Sequence, residues 1–360
     1  MSSHQQIPER SLAENHASVS DLLLRWYDAN RRSLPWRRDN PDAYSVWLSE
    51  IMLQQTTVKA VIPYFMKFLS LWPNVQALAA APVAEVMSAW AGLGYYSRAR
   101  NLLACAKMVA ETYQGQFPAA EDDPRKLPGV GPYTAAAISA IAFNRRAVVV
   151  DGNVERVVSR LFAVERPLPA AKPEIYSLTD SITPHSRCGD FAQSMMDLGA
   201  SLCAPRNPQC LMCPLSGVCR ANLIGDPQSF PRKTPKMPRP LRRGAAFYIA
   251  RADGAILVRT RPDKGLLGGM TELPGSAWSV TFSADAALND APVKLPFSQA
   301  KNVSHVFTHF ALELAVFIGS APSDMPAPQS YRWVLPEQIE AEAWPSIMRK
   351  VLEAGAAHER

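Results

Sequence analysis

The chain has 360 residues, of which 48% are hydrophobic, so it is long enough for two domains that each bury a core. Its formal net charge is +6. No apolar run reaches the roughly 18 residues that a membrane-spanning helix needs, and the first residues lack the basic and apolar regions of a secretory signal. These features argue against a membrane protein and a secreted protein, and they predict a cytoplasmic one.

The first two thirds of the chain have the pattern of helices. Residues 1–18 are predicted to be disordered, and a helical domain is predicted over residues 19–225. Ser20 to Tyr27 begins with a capping residue and places its apolar side chains at helical spacing.

Residues 127–134, Leu-Pro-Gly-Val-Gly-Pro-Tyr-Thr, predict a tight turn that opens a helix. Gly129 and Gly131 permit unusual dihedrals and leave the backbone bare, and Pro132 suits the first turn of a helix. Exposed amides of Gly129, Val130 and Gly131 would then face an anion such as a DNA phosphate. The pattern is typical of a helix–hairpin–helix, although a plain helix–helix turn is the alternative for these residues alone.

Four cysteines fall in one short segment, with gaps of six, two and five residues: Cys203, Cys210, Cys213 and Cys219. A single Cys-x-x-Cys with two longer arms favours a [4Fe–4S] cluster over a structural zinc, whose ligands usually come as two short pairs. Unligated core cysteines are the third alternative. Cys105, within an apolar run, is interpreted as a small buried hydrophobic residue.

The character of the sequence changes after residue 225. Residues 226–243 are predicted to be an extended basic linker, because Ser229 to Arg243 contains six Lys or Arg residues, four prolines and no acid. A β-hairpin is predicted over residues 245–258 around Asp253-Gly254, more strands over 308–318 and 331–335, and a helix near 345–354. The fold class is therefore multidomain: an all-α domain, then an α+β domain over residues 244–356.

The chain resembles the adenine DNA glycosylases of the MutY type, within the endonuclease III superfamily of helix–hairpin–helix glycosylases. The resemblance rests on the turn at 127–134, the Asp151 loop, the cysteine spacing, a Nudix-like C-terminal domain and two further motifs, residues 47–56 and residues 92–99. It implies a six-helix region at about 41–150 and an iron–sulfur subdomain formed by residues 19–40 and 151–225. It also implies excision of adenine mispaired with 8-oxoguanine or guanine in base excision repair.

Two carboxylates suit this chemistry. Excision needs a proton for the departing base and stabilisation of an oxocarbenium-like sugar. Glu50 lies in an otherwise apolar helix, where burial raises a carboxyl pKa, so it is the candidate general acid. Asp151 is the candidate that stays ionised and faces the sugar. Their alternatives are a structural carboxylate for Glu50 and a helix N-cap for Asp151.

Tyr133 distinguishes this chain from bifunctional relatives. By resemblance, the endonuclease III type has a lysine here, whose amine forms a Schiff base and cleaves the strand. A tyrosine predicts a monofunctional glycosylase, with the hydroxyl near Glu50 or Asp151. Asn153, by resemblance, orients the same pocket.

An extruded adenine leaves a gap in the duplex that side chains must fill. Gln54, Gln55 and Tyr95 are the candidates; Gln55 resembles the residue that enters the stack, and Tyr95 the one that wedges beside 8-oxoguanine. For Arg98, phosphate contact and surface solvation are both open.

The C-terminal domain resembles the Nudix-like module that recognises 8-oxoguanine, with Phe307, Thr308 and His309 as the candidate readers. No Arg-Glu-x-x-Glu-Glu run follows Gly275, so pyrophosphohydrolase activity is disfavoured. Thr271 replaces a tryptophan of many relatives, and Thr308 replaces a serine. His305 and His309 are expected to share one face of a strand.

The resemblance further implies a bacterial, nucleoid-associated monomer that binds double-stranded DNA with A:8-oxoguanine or A:G mispairs. Two other functions remain open at this point. One is an endonuclease III-type lyase, which Tyr133 opposes, and the other is a non-catalytic iron–sulfur DNA-binding protein, in which Glu50 and Asp151 would be structural.

Overall fold

A computed structural model describes residues 11–38, 41–119, 124–235, 238–262 and 265–358, with the side chains of residues 11–18 left undescribed. The chain divides into two compact units. The first unit contains residues 1–81 and 101–235, and the second contains residues 82–100 and 236–360. The short segment 82–100 thus groups with the C-terminal residues, a grouping that the sequence does not predict.

The region up to residue 225 is helical, as predicted. Its helices are α1 (Ser11–Asn30), α2 (Ala43–Leu53), α3 (Val58–Leu71), α4 (Val75–Ala79), α5 (Val83–Trp90), α6 (Ser97–Thr112), α7 (Pro132–Phe143), α8 (Gly152–Leu161), α9 (Lys172–Ile182), α10 (Cys188–Ala200) and α11 (Arg220–Leu223). Helix α1 begins at Ser11, within the segment predicted to be disordered, whereas residues 1–10 lie outside the described residues. No described helix combines the length and the apolar content needed to cross a bilayer.

Local chemistry explains where the helices that carry the candidate site begin. Asp42 caps α2 by accepting a hydrogen bond from the Ser45 amide. Helix α7 begins with Pro132, whose missing N–H is not needed in a first helical turn. Asp151 caps α8. Asp42, Pro132 and Asp151 thus mark where α2, α7 and α8 begin.

Helices α1, α7, α8, α9 and α10 share one apolar core, in which residues such as Leu23, Val158 and Met195 are almost fully buried. Each fully buried side chain of this size contributes about 1.5–3 kcal/mol to stability. This core contains residues of α7 and α8, the helices that begin beside Tyr133 and Asp151.

The C-terminal part contains a mixed sheet, which confirms the α+β prediction. Its strands are β1 (Leu241–Arg251), β2 (Ile256–Thr260), β3 (Thr271–Glu272), β4 (Ser298–Gln299), β5 (Val303–Val306), β6 (Ala311–Ala321) and β7 (Arg332–Val334). The order is β3-β2-β1-β6-β4, with β5 on β6 and β7 on β2. The long strands β1 and β6 are parallel, in register from Leu241 beside Ala311 to Arg251 beside Ala321.

Strands β1 and β2 form the predicted hairpin, and helix α13 (Ser346–His358) lies near the predicted position; a four-residue helix, α12 (Ala284–Ala287), precedes β4. Helix α13 packs against β1, β5 and β6. Gly355 lets it approach closely, since a Cβ there would lie 2.3 Å from the Tyr248 ring. The strand predicted from Thr308 instead begins at Ala311, because residues 307–310 turn, with the Phe307 amide donating to the Phe310 carbonyl over 2.9 Å.

The basic segment 226–243 is only partly the extended connector that its composition predicts. Phe230 is 1% exposed, and the Leu168 amide donates to the Arg232 carbonyl over 2.8 Å. Arg232 pairs with Glu165, and Arg243 already belongs to β1 and pairs with Glu313. An apolar side chain and backbone hydrogen bonds therefore anchor part of this segment. Residues 236–237 lie outside the described residues.

Candidate active site

Glu50 lies on α2 and is 6% exposed, surrounded by the apolar residues of that helix. The pKa of its carboxyl is raised to about 7, mainly by burial and also by the negative charge of Asp151, against the Tyr133 hydrogen bond and the Arg37 charge, which lower it. A carboxyl with this pKa holds a proton in a large fraction of molecules at neutral pH. The sequence predicts this behaviour, because an isolated Glu on an apolar helix is costly to ionise.

Tyr133, the second residue of α7, donates its hydroxyl to Glu50 Oε2 over 2.8 Å. Burial raises the pKa of the phenol well above its usual value, and the nearby Glu50 and Asp151 charges act in the same direction. The phenol therefore stays protonated and remains a donor. Because it occupies one carboxyl oxygen, the other oxygen of Glu50 is left to carry a proton.

Asp151 receives three N–H donors. Its Oδ1 accepts from the amides of Asn153 (2.9 Å) and Val154 (2.7 Å), and its Oδ2 accepts from the Asn153 side-chain amide (2.8 Å). These bonds compensate a negative charge at the N-terminus of α8, where the helix dipole also favours it. The N-cap alternative thus describes its geometry correctly, and the charge still lies close enough to Glu50 to raise the pKa of Glu50.

Asn153 connects this carboxylate to the cysteine segment. Its side-chain oxygen accepts from Arg156 over 2.9 Å, and Arg156 also donates to the carbonyls of Gly199 (2.6 Å) and Cys203 (2.8 Å). The amide nitrogen of Asn153 can therefore point only toward Asp151. A continuous set of hydrogen bonds runs from the first cysteine of the segment to the candidate sugar-facing carboxylate.

The four clustered cysteines are all free thiols. Burial raises the pKa of Cys213, and the neighbouring Cys203, Cys219 and Cys210 also act on it, so the four sulfurs are neighbours. No three Cys, His, Asp or Glu side chains in the described ranges are arranged to hold a metal ion. Four neighbouring thiols are a donor set that fits a [4Fe–4S] cluster, because each thiolate of such a cluster binds a different iron.

A buried guanidinium supports the same segment. Arg160 is 2% exposed and donates to Cys203 Sγ over 3.2 Å, to the Ala204 carbonyl over 2.8 Å and to the Phe230 carbonyl over 3.2 Å. Arg160 therefore holds the first cysteine of the segment through hydrogen bonds to its sulfur and to the neighbouring carbonyl.

A small cavity of about 50 Å³ lies beside Glu50 and is lined by Arg32, Trp36, Arg37 and residues of α2, among others. The sequence reasoning missed the charges next to it. Asp197 on α10 is 1% exposed and accepts from Arg37 over 2.5 and 2.7 Å and from Arg32 Nε over 2.7 Å. Burial raises the pKa of Asp197, but the two arginines outweigh it and hold the pKa below its usual value.

A signal for Asp197 was present in the sequence. The run Met195-Met196-Asp197-Leu198 places one carboxylate among apolar residues, as residues 47–53 do for Glu50. No local pattern shows that Arg32 and Arg37, 165 and 160 residues away, meet it.

The residues predicted to contact DNA near the first unit's site are partly exposed. Gln55 is exposed with a φ of 58°, whereas the Gln54 side chain donates to Thr134 over 3.3 Å. Gly129 has a φ of 75°, and a Cβ on Gly131 would meet nothing within 4 Å. Val130 differs from the prediction: its side chain is buried, and its amide donates to the Leu127 carbonyl over 3.1 Å, so that amide does not face outward.

In the second unit, Tyr95 is 55% exposed and has a φ of 49°. It lines a cavity of about 660 Å³ together with Phe307, Thr308 and His309, which lie at the β5–β6 turn. His305 is on β5 and His309 is in the turn, so the prediction that they share a strand face is wrong. Thr271 is 3% exposed and its hydroxyl is hydrogen-bonded to Glu342, so its side chain is not accessible for contact with a DNA base.

Arg98 does not fit either interpretation from the sequence. It is 8% exposed, and its guanidinium donates to the carbonyls of Leu93 and Gly94 over 3.1 and 3.2 Å. The side chain is turned into its own loop and away from bulk solvent.

Comparison with known proteins agrees with this architecture. A family model described as HhH-GPD superfamily base excision DNA repair protein matches residues 48–177, and one described as NUDIX domain matches residues 245–354. The human adenine DNA glycosylase is 35% identical over 395 residues, which cover 91% of this chain and 72% of the human protein. The adenine DNA glycosylase of Buchnera aphidicola subsp. Schizaphis graminum is 34% identical, covering 82% of this chain and 85% of that protein.

Among solved structures, a thermostable thymine-DNA glycosylase is 30% identical and superposes with a TM-score of 0.54, covering 59% of this chain and 98% of that one. The predicted fold class and the predicted family are confirmed by these matches. The chain therefore belongs to the adenine DNA glycosylases, enzymes of the HhH-GPD base excision repair superfamily, and carries a NUDIX domain after its helical part.

Proposed function

We propose that this enzyme is a monofunctional glycosylase that hydrolyses the N-glycosidic bond of adenine opposite 8-oxoguanine or guanine. Glu50 is the general acid, and Asp151 stabilises the positive charge that develops on the sugar. The observation that carries the proposal is the contact between the Tyr133 hydroxyl and a buried Glu50 whose pKa is about 7, beside the Asp151 charge.

The proton that Glu50 holds answers the main difficulty of the reaction. Adenine is a poor leaving group as an anion, so it must be protonated as the bond to the sugar breaks. An acid whose pKa lies near the working pH is protonated often enough and still releases its proton readily. Tyr133 keeps the carboxyl oriented without competing as a proton source, because its own pKa is raised.

Asp151 is the carboxylate that faces the sugar in this proposal. Its three N–H donors hold the carboxylate in one orientation before the sugar charge appears, so little reorganisation is needed during bond cleavage. Asn153 and Arg156 fix that orientation from behind.

Tyr133 supports a single activity. A phenol cannot form the Schiff base that precedes strand cleavage, so water attacks the sugar carbon and an abasic site is the product.

The cavity beside Glu50 is where a flipped base would have to enter in this proposal. Its volume of about 50 Å³ holds about two waters and is too small for a purine, so it must widen when DNA binds. The Arg37 guanidinium lines this cavity beside Glu50, so a positively charged group lies next to the candidate acid.

Cys203, Cys210, Cys213 and Cys219 hold a [4Fe–4S] cluster in this proposal. When bound, the cluster supplies iron–thiolate bonds that tie the 203–219 segment together. Hydrogen bonds of Arg156 and Asn153 then connect the ordered segment to the site.

The DNA contacts of this proposal come from both units. Gln54, Gln55, Gly129 and Gly131 contact the DNA, Tyr95 fills the gap left by the flipped adenine, and Phe307, Thr308 and His309 recognise 8-oxoguanine. We further propose that the enzyme acts as a monomer in the bacterial cytoplasm at the nucleoid.

One assay separates the candidate functions. A duplex labelled on the adenine strand, with that adenine opposite 8-oxoguanine, is incubated with the iron-loaded protein and split into alkali-treated and untreated portions. Breaks that require alkali are expected. Breaks without alkali would instead indicate the bifunctional lyase, and no product in either portion would indicate a DNA-binding protein without this activity.

A further inference from the structure

We propose that Arg98 is a positioning residue that clamps the loop of residues 91–96 and so holds the Tyr95 ring ready to enter DNA. The inference rests on the proposed function of Tyr95 in filling the gap, and it assigns to Arg98 a role that is not a phosphate contact.

The guanidinium of Arg98 contacts two backbone carbonyls and two aromatic rings. It donates to the carbonyls of Leu93 and Gly94, over 3.1 and 3.2 Å. Its central carbon lies 5.2 Å from the centre of the Trp90 ring and 5.5 Å from the centre of the Tyr95 ring. Cation–π attraction at such distances is strongest where water is excluded, and Arg98 is only 8% exposed. The buried charge thus links the rigid end of α5 to the loop and to the ring.

The loop needs such a support. Gly92 and Gly94 have φ values of 103° and 71°, and Tyr95, a residue with a bulky side chain, has a φ of 49°. A non-glycine residue in the left-handed region persists only where its surroundings stabilise it. The Trp90 indole also donates to the Gly94 carbonyl, over 3.1 Å, so the loop carbonyls face inward on the same side as Arg98.

The arrangement leaves Tyr95 exposed yet anchored. More than half of its side chain is accessible, while one face of the ring lies against Arg98. A ring already held in a binding orientation loses less conformational entropy when it enters the duplex. Arg98 therefore acts on DNA through Tyr95 and does not itself need to touch DNA.

A double-mutant cycle tests this dependence. Arg98→Met keeps a long side chain but removes the charge and the N–H donors, and Tyr95→Ala removes the ring. Single-turnover excision of adenine opposite 8-oxoguanine is expected to fall about 10-fold or more for each single variant, because misplacement of a positioning group is costly. The double variant is expected to be no slower than Tyr95→Ala alone. Losses that multiply in the double variant would overturn the proposal, since Arg98 would then act independently of Tyr95.

A second measurement needs no substrate. Chymotrypsin cuts after aromatic residues, so release of the loop in Arg98→Met should accelerate cleavage after Tyr95 or Tyr96, located by mass spectrometry. Arg98→Lys, which retains a cation, should cleave at an intermediate rate. Arg25→Met, at an exposed position of α1, is the matched control and should behave like the wild type in both experiments. If Arg98→Met resists chymotrypsin as well as the wild type does, the clamp is refuted. If the wild type excises no adenine, the proposed function is refuted, and the proteolysis rates alone then decide whether Arg98 holds the loop.

Discussion

Glu50 and Asp197 are both almost fully buried carboxylates on apolar helices, yet their pKa values are shifted in opposite directions. Burial raises the pKa of each. For Glu50, burial and the Asp151 charge outweigh the Tyr133 hydrogen bond and the Arg37 charge, so its pKa is raised to about 7. Asp197 meets two guanidinium groups, which lower its pKa below the usual value. The comparison teaches that the charge of the neighbours, rather than burial, decides which buried carboxyl can deliver a proton.

The largest expected effect comes from removing the acid. Glu50→Gln keeps the shape and the contact with Tyr133 but carries no transferable proton. Single-turnover excision of adenine should fall about 1,000-fold, within the range for loss of a general acid. Binding to the same duplex, measured by fluorescence anisotropy, should persist.

Glu174→Gln, at an exposed position of α9, is the matched control and should excise adenine at the wild-type rate. Unchanged turnover in Glu50→Gln would contradict the assignment of Glu50 and return it to a structural role.

The second effect is on stability and concerns Asp197. Asp197→Asn removes the negative charge that two arginines share, and it leaves those cations partly buried without a counter-charge. The free energy of unfolding should fall by about 3 kcal/mol, as for one partner of a buried ion pair. Urea unfolding followed by circular dichroism measures it.

Asp180→Asn is the comparison, because its carboxylate pairs with Arg146 while 48% exposed. That loss should be less than about 1 kcal/mol. Equal losses of unfolding free energy at the two positions would mean that the buried Asp197 ion pairs contribute no more to stability than an exposed pair.

The smallest expected effect is a shift in the pH dependence of excision when Tyr133 is replaced by phenylalanine. The Tyr133 hydrogen bond lowers the pKa of Glu50, so Tyr133→Phe should raise it further. A carboxyl is protonated below its pKa; excision that needs this proton is therefore retained at low pH and lost as the pH rises through about 7 in the wild type. In Tyr133→Phe this alkaline loss should move to higher pH, with a maximal rate reduced by less than about 10-fold.

Single-turnover rates between pH 5 and 9, a range of roughly two units around the pKa, would measure the shift. Tyr113→Phe, outside the site, serves as the control and should keep the wild-type profile. A shift to lower pH would mean that Tyr133 does not stabilise the ionised form of Glu50.

Several features of the fold could be predicted because they depend on short stretches of sequence. Helical spacing, the turn at Gly129 and Gly131 and the hairpin around Asp253-Gly254 follow from local dihedral preferences and apolar periodicity. The β5–β6 turn was less predictable, because the alternating residues 303–311 do not mark where a strand ends. Composition alone predicts a connector for the basic segment 226–243, but burial of one aromatic residue, Phe230, anchors part of it.

The sequence by itself determined the family of this enzyme, the division into helical and sheet-containing parts, and the candidacy of Glu50, Asp151 and the four cysteines. Each of these depends on residue types at short, fixed spacing. Only the tertiary structure decided that Tyr133 bonds to Glu50 across 83 residues, that Asp197 holds two arginines, and that Arg98 lies inside its own loop. The physical reason is that a side chain's charge and orientation depend on which groups packing brings beside it, and those partners are distant in the chain.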